Sequence, residues 1–375
     1  MRIEKIANRQ LFNILFLMRT TIPLSTLPVL TSAGALQDAW ISGLFVFAGS
    51  AVMVLLVAGL GIRFPRLTVV EISKKLLGTV GGALVTLLIL WSFLHLASIE
   101  MRLYVEMIIN NFLDETPIVF LVSVIILAAL AAAYAGIEVI ARLADLLFMF
   151  FLVMVVLSIA SMFVEADFIN LQPVMARGVS PVLEGSITPI GLSSLILVLG
   201  ILIPTANQPR RVMGTALWAT AAASATVVVT AFMVVSVLGP NEGSRAVFPL
   251  IKAIRAVELS QFLQRIEILT VFAWGFGLLI AVSVFIYCGA RGVEKLFGLK
   301  GYRFLLLPMG VAWVVITIHN FENMFEFRSF QDPGILGLYG IVLLLFPYTL
   351  LWASYLLRKL LGQNPAEQEE EANSP

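Results

Sequence analysis

The stretch RQLFNILFLMRTTIPLSTLPVLTSAGA, residues 9–35, decides the fold. It is apolar and long enough to cross a bilayer, which takes roughly 20 residues. Pro23 and Pro28 lack the N–H that a helix needs, and each ring presses on the turn before it. Arg19 precedes Thr20, Thr21 and Ile22 near mid-depth, where an arginine costs about 3 kcal/mol on insertion scales. Irregular backbone at that depth is tolerated only where it is buried in protein or lines a cavity. The cluster therefore predicts a broken helix, with one half to Met18, an unwound piece through Leu24 and a second half beyond. The free N–H groups of an unwound piece suit an anion. The other reading of the same residues is a proline-kinked helix packed on its neighbours.

The rest of the chain agrees with a membrane setting. Its 375 residues are 60% hydrophobic and 13% charged, and mean hydropathy is +0.99. These values specify an all-α polytopic membrane protein. The net charge of +1 gives no footing for nucleic acid. Cys288 is the only cysteine, so no disulfide forms within the chain, and His95 and His319 are far apart, which disfavours a transition-metal site. No Walker motif, metal-ligand cluster or nucleophile elbow is present, so neither an enzyme nor a cofactor is indicated. GTVGG (78–82) opens the third span rather than cradling phosphate. Arg2, Lys5 and Arg9 before an apolar run imitate a signal peptide, but Arg19 and the prolines interrupt that run, so the segment is expected to be retained.

Apolar spans read as 9–35, 41–62, 79–111, 117–135, 138–163, 188–205, 213–238, 264–293, 303–319 and 335–361, ten in all. Most of the 24 Lys and Arg residues fall on one side of them, which places both termini in the cytoplasm. Asp38, Asp114, Glu115, Glu165, Asp167 and Glu184 mark the other side. FPLIKAIRAVEL (248–259) reads as an interfacial helix on that side, with Leu250, Ile251, Ile254 and Val257 on one face. RFPRLTVVEISKKLLG (63–78) reads as a cytoplasmic amphipathic helix, and the acidic tail 362–375 as disordered. Residues 1–361 form a single transmembrane domain of two five-span halves, repeat one about 9–163 and repeat two about 188–361. The sixth span carries Pro189, Gly191, Gly200 and Pro204. Interruptions at matching positions of two halves, here spans one and six, point to a binding site between inverted repeats.

Span three, WSFLHLASIEMRLYVEM (91–107), is the most polar. Charged groups at this depth face protein or water and usually pair. Glu100 and Arg102 are expected to form a charge network that Arg19 can join, and Arg102 reaches Glu106 one turn on. The network is either a gate or an ion-pair clasp between helices. His95 is either a packing residue or a proton relay. Arg265 and Glu267 open span eight, where Trp274, Gly277, Ala281 and Phe285 follow at helical spacing. That face is either a site wall or close helix packing.

Gln10 with Leu27-Pro28, DAWIS (38–42), FPRLTVVE (64–71), FLHLASIEMR (93–102), ETP (115–117), GIEVIAR (136–142), LQPV (171–174), FLQRIE (262–267), Trp274 and LFGL (296–299) carry a nearly full-length resemblance. The chain resembles the B subunit of endospore nutrient germinant receptors, the spore-permease family of the amino acid–polyamine–organocation superfamily. The resemblance implies a LeuT-type 5+5 fold with helices one and six broken. It also implies a receptor subunit in the inner spore membrane that binds a small nutrient, typically an amino acid. Such a subunit acts with an A-type subunit and a lipoprotein C-type subunit. The implied pocket lining is Thr20, Thr21 and Ile22 in the first break, Leu96 and Ile99, Leu195 and Leu199, and Ala281 and Phe285. Many relatives carry a glutamate in the sixth span where Val198 stands here, and a glycine-rich first break where this chain reads RTTIP. Arg19 then either favours an anionic group or pairs with Glu100. Two other functions remain open from the sequence: a proton- or sodium-coupled amino acid transporter, and a water or ion channel.

Overall fold

The computed structural model describes residues 4–32, 34–257 and 267–372, without the side chains of 22–26, 28, 29, 31, 32, 324, 368 and 370–372. Arg265, the first residues of FLQRIE, the Ile22 side chain and residues 373–375 lie outside the described residues.

The chain is helical throughout. The first half holds α1 (Asn8–Ser32), α2 (Ala39–Gly61), α3 (Val69–Asn111), α4 (Ile118–Ala135) and α5 (Ile137–Met162). The second opens with α6 (Ser180–Leu192), a 3₁₀ turn (Ser193–Val198) and α7 (Leu199–Leu202). It continues with α8 (Val212–Arg245), α9 (Pro249–Arg255), α10 (Glu267–Phe297), α11 (Leu306–His319), α12 (Met324–Phe330), α13 (Leu338–Leu360) and α14 (Pro365–Ala372). Each of the ten expected spans coincides with a helix. Eight stretches of the described residues are long and apolar enough to cross a membrane; α1 and the shorter α11 complete the ten.

Local chemistry sets the ends and bends. Thr68 caps α3: its N–H and its hydroxyl both donate to Glu71 Oε2, at 2.9 Å each. Gly78, at φ 75°, separates the amphipathic first turns of α3 from its long apolar part. The amphipathic helix expected over 63–78 is the part of α3 before this kink, a helix distinct from the long apolar part beyond Gly78. The expected interfacial helix is α9, whose Leu250, Ile251 and Ile254 are buried. The outer surface of the bundle carries Leu127, Phe150, Trp218, Leu307 and Phe346, all exposed, an apolar belt of the kind that faces lipid.

Two expectations need correcting. The acidic tail, read as disordered, carries α14, tied down by Lys75 Nζ at 2.6 Å from Glu369 Oε2. A charged partner on the body supplied what the tail's own composition lacks. More consequentially, α1 is one helix from Asn8 to Ser32, through Pro23 and Pro28. The expected interruption at Arg19–Leu24 is absent. The Thr20 hydroxyl donates to Leu17 O at 2.9 Å and the Thr21 hydroxyl to Met18 O at 2.7 Å. The two hydroxyls thus fold back on α1's own carbonyls, as they do inside a continuing helix.

The second repeat does break. α6, the 3₁₀ turn and α7 form the most deeply buried of the eight crossing stretches. Ser193 Oγ donates back to Pro189 O at 2.8 Å, a side-chain bond that competes with the helical ladder. Just before it, a Cβ at Gly191 would strike the backbone of Gly337, and one at Gly340 would strike Gly191. The glycines let α6 and the stretch leading into α13 meet backbone to backbone.

Candidate functional site

The 3₁₀ turn is the centre around which the candidate residues gather. It touches α1, α2, α3, α10 and α13. Leu96 and Ile99 of α3, Leu195 of the turn, Leu199 of α7, and Ala281 and Phe285 of α10 are all buried in one core cluster. Phe93 and Phe285 have ring centroids 5.8 Å apart across α3 and α10. Thr20 and Thr21 are buried on α1. The Thr21 hydroxyl is shared between Met18 O and Glu100 Oε2, the latter at 3.2 Å. Gly277 of α10 abuts this point, since a Cβ there would lie 2.8 Å from Leu17 O and 2.9 Å from Thr21 Cγ2. The residues expected to line the pocket, the Ile22 side chain apart, are all buried and closed off from solvent.

The charged residues do not form one network. Arg102 Nη2 pairs with Glu106 Oε1 at 2.8 Å, and its Nη1 donates to Ile318 O at 2.6 Å. It ties α11 to α3 through a backbone carbonyl, while its ion pair stays within α3. Glu100 bonds Thr21 instead. Arg19 turns to α2 and the 3₁₀ turn, where its Nη2 donates to Ser50 Oγ at 3.0 Å, and Ser50 Oγ lies 2.8 Å from Ser193 Oγ. Ser50 and Ser193 were not singled out from the sequence. The Gly49-Ser50 and Ser193-Ser194 pairs inside apolar spans were the signal available. His95 Nδ1 lies 2.8 Å from Tyr339 Oη, and its ring stacks on Trp91. Arg255 Nε is 3.4 Å from Glu267 Oε1, and Arg265 lies outside the described residues.

Below the closed core, at the end rich in Lys and Arg, opens a vestibule of about 1490 Å³ that reaches Ile201 of α7 and Tyr287 of α10. Its roof is laced to the N-terminus. Tyr287 Oη donates to Glu4 Oε2 at 3.1 Å, and Ile137 N to the same atom at 3.2 Å. Lys5 Nζ donates to Pro204 O at 3.1 Å. Ile6 pairs with the chain leaving α7, through Ile6 N to Thr205 O and Asn207 N to Ile6 O, both 2.9 Å. The two repeats are thereby stitched where their first spans reach this end. Burial, reinforced by Glu4, pushes the Tyr302 phenol up from its ordinary value. It stays a neutral donor to Ala133 O, at 3.1 Å.

A family model described as spore germination protein matches residues 5–325. The chain belongs to the spore germination protein family. Spore germination protein KB of Bacillus subtilis (strain 168) is 28% identical over 94% of this chain and 93% of its own length. Spore germination protein YndE of the same organism is 25% identical over 80% of this chain and 83% of its own. Among solved structures, MhsT in complex with L-phenylalanine superposes with a TM-score of 0.59 at 16% identity, over 90% of this chain and 88% of that one. At that identity the likeness establishes the fold, which is the LeuT type.

This spore germination protein is therefore a multi-pass membrane protein built on a transporter scaffold, with a receptor or transporter-like role. Among the described residues no group of His, Cys, Asp and Glu could hold a metal. The core around the 3₁₀ turn contains apolar side chains of α3, α7 and α10, hydroxyls of α1 and of the turn, and the buried side chains of Arg19 and Glu100.

Proposed function

We propose that this chain is the nutrient-sensing subunit of a spore germinant receptor. It binds a small molecule, an amino acid, in the core between α1, α3, the 3₁₀ turn, α7 and α10. It passes the resulting change of conformation to A-type and lipoprotein C-type partner subunits. The observation that carries this reading is a spore germination family match on a LeuT fold whose sixth span is interrupted in the buried centre. The amino acid in the MhsT structure, L-phenylalanine, supports the ligand class. The family supports the inner spore membrane, and the Lys and Arg bias supports cytoplasmic termini at the vestibule end. Polar backbone midway through a transporter helix is where substrates bind in such folds. A ligand shifts a two-state equilibrium only by its differential affinity for the two states. A closed core above a vestibule is suited to such a shift.

The test is germination of spores carrying Thr21→Trp or Leu195→Trp with the cognate partner subunits. An indole at either position fills the core. Both variants are expected to abolish nutrient-triggered germination while the protein remains in the membrane. Undiminished germination in both refutes the site.

The vestibule favours a second reading, a proton- or sodium-coupled amino acid transporter, because an opening beneath a buried core is one half of alternating access. Gradient-driven uptake of amino acids into proteoliposomes supports that reading; binding without uptake supports the receptor.

A further inference from the structure

Arg19 is a buried cation without a counter-charge. It is 3% exposed, and an arginine keeps its proton in any protein setting. Its Nη2 donates to Ser50 Oγ. Ser193 donates to Pro189 O, so in the Ser50–Ser193 pair the hydrogen comes from Ser50. Every hydroxyl hydrogen in the chain Arg19, Ser50, Ser193, Pro189 O is thereby assigned. The chain starts at a full positive charge and ends at a neutral carbonyl. Nε and Nη1 of Arg19 are buried and have no hydrogen-bond partner. No carboxylate pairs with Arg19 among the described residues. Glu100 bonds Thr21, and Arg102 and Glu106 satisfy one another. Ser194, on the same 3₁₀ turn, also has a buried hydroxyl without a partner.

Removing an ion from water without a partner is a penalty that folded proteins rarely carry, and intramembrane ionisable groups are usually functional. Arg19 carries one positive charge and its hydrogen-bond partner among the described residues is a hydroxyl, so the missing charge is a single negative one. We propose that Arg19, with Ser50 and Ser193 fixing its guanidinium beside the 3₁₀ turn, holds a small monovalent anion. The anion is either the carboxylate of the nutrient or a free halide ion. Only the carboxylate arm rests on the nutrient-sensing reading.

The experiment uses the full-length protein in lipid nanodiscs and reads thermal unfolding in a gluconate buffer. One arm titrates sodium chloride. The other compares zwitterionic amino acids, each with its own carboxamide, which has the same side chain and amine but no carboxylate. Ligand at 100 times its Kd is expected to raise the midpoint by about 3 °C. Stabilisation by chloride that is lost in Arg19→Gln identifies a halide. Stabilisation by an amino acid but not by its amide, lost in Arg19→Gln, identifies a carboxylate. Arg19→Lys keeps the charge with fewer donors and is expected to weaken binding about tenfold. Ser50→Ala, which keeps the guanidinium and frees its orientation, covers the case in which Arg19→Gln does not fold. The proposal is overturned if neither anion stabilises the wild-type protein, or if Arg19→Gln and Ser50→Ala respond as the wild type does. Equal stabilisation by amino acids and their amides overturns the carboxylate arm and leaves nutrient sensing intact. A chloride effect with no amino acid effect upholds the anion site and fails the amino acid reading.

Discussion

Replacing Gly277 by alanine tests how α10 meets α1 at the candidate site. A Cβ at Gly277 would sit 2.8 Å from Leu17 O and 2.9 Å from Thr21 Cγ2. Ordinary contact needs at least 3.4 Å, so α1 and α10 must part by about 0.6 Å. The Leu17 carbonyl cannot swing away freely, because it also accepts from Thr20. Overpacking of this kind costs about 1–3 kcal/mol. The Thr21–Glu100 bond is already long at 3.2 Å, and the same displacement breaks it, leaving a buried carboxyl short of a partner at about 1–3 kcal/mol. Alanine returns about 1 kcal/mol of helix propensity. The net expectation is a loss of about 1–5 kcal/mol, read as a lower midpoint of reversible unfolding in mixed dodecyl maltoside and dodecyl sulfate micelles. Gly214→Ala is the control: it is exposed on α8 with nothing within 4 Å, so it should be neutral or stabilising by up to about 1 kcal/mol. Adding Thr21→Ser to Gly277→Ala removes the crowded methyl and keeps the hydroxyl, so it should recover part of the loss. A Gly277→Ala protein as stable as the wild type refutes the close α1–α10 approach and the geometry of the site drawn from it.

Two further predictions concern the frame around the site. Arg102→Met removes the ion pair to Glu106 and the bonds to the end of α11, and both side chains of the pair are mostly buried. Loss of about 3–5 kcal/mol is expected, with faster hydrogen exchange over Leu306–His319; unchanged protection there would show that the clamp is idle. Gly191→Ala places a methyl against the backbone of Gly337, where no side chain can yield, so it should cost about 3 kcal/mol and reduce the monodisperse fraction on size exclusion. A stable, monodisperse variant would mean that α6 and α13 are not in backbone contact.

The sequence determined the class of protein, the ten spans, the bias of charge between the two ends and the interruption of the sixth span. Those properties are local: hydropathy is summed along the chain, and Pro189 with Gly191 weakens its own turn whatever surrounds it. Arg102 and Glu106 were legible for the same reason, being one helical turn apart. The apolar lining of the core came from resemblance, since Leu96, Leu195 and Ala281 look like any buried residues of a bundle. Only the tertiary structure decided that α1 stays whole. A proline removes a hydrogen bond locally, but whether the helix opens depends on what its neighbours supply. The partners of the Arg19 and Thr21 side chains just before Pro23 are Ser50 and Glu100, 31 and 79 positions away. The same distance in sequence hid the solitude of Arg19. Its charge is plain in the sequence, but the absence of a carboxylate beside it appears only when α2 and the 3₁₀ turn are packed around it. An ion's energy is set by its surroundings in space.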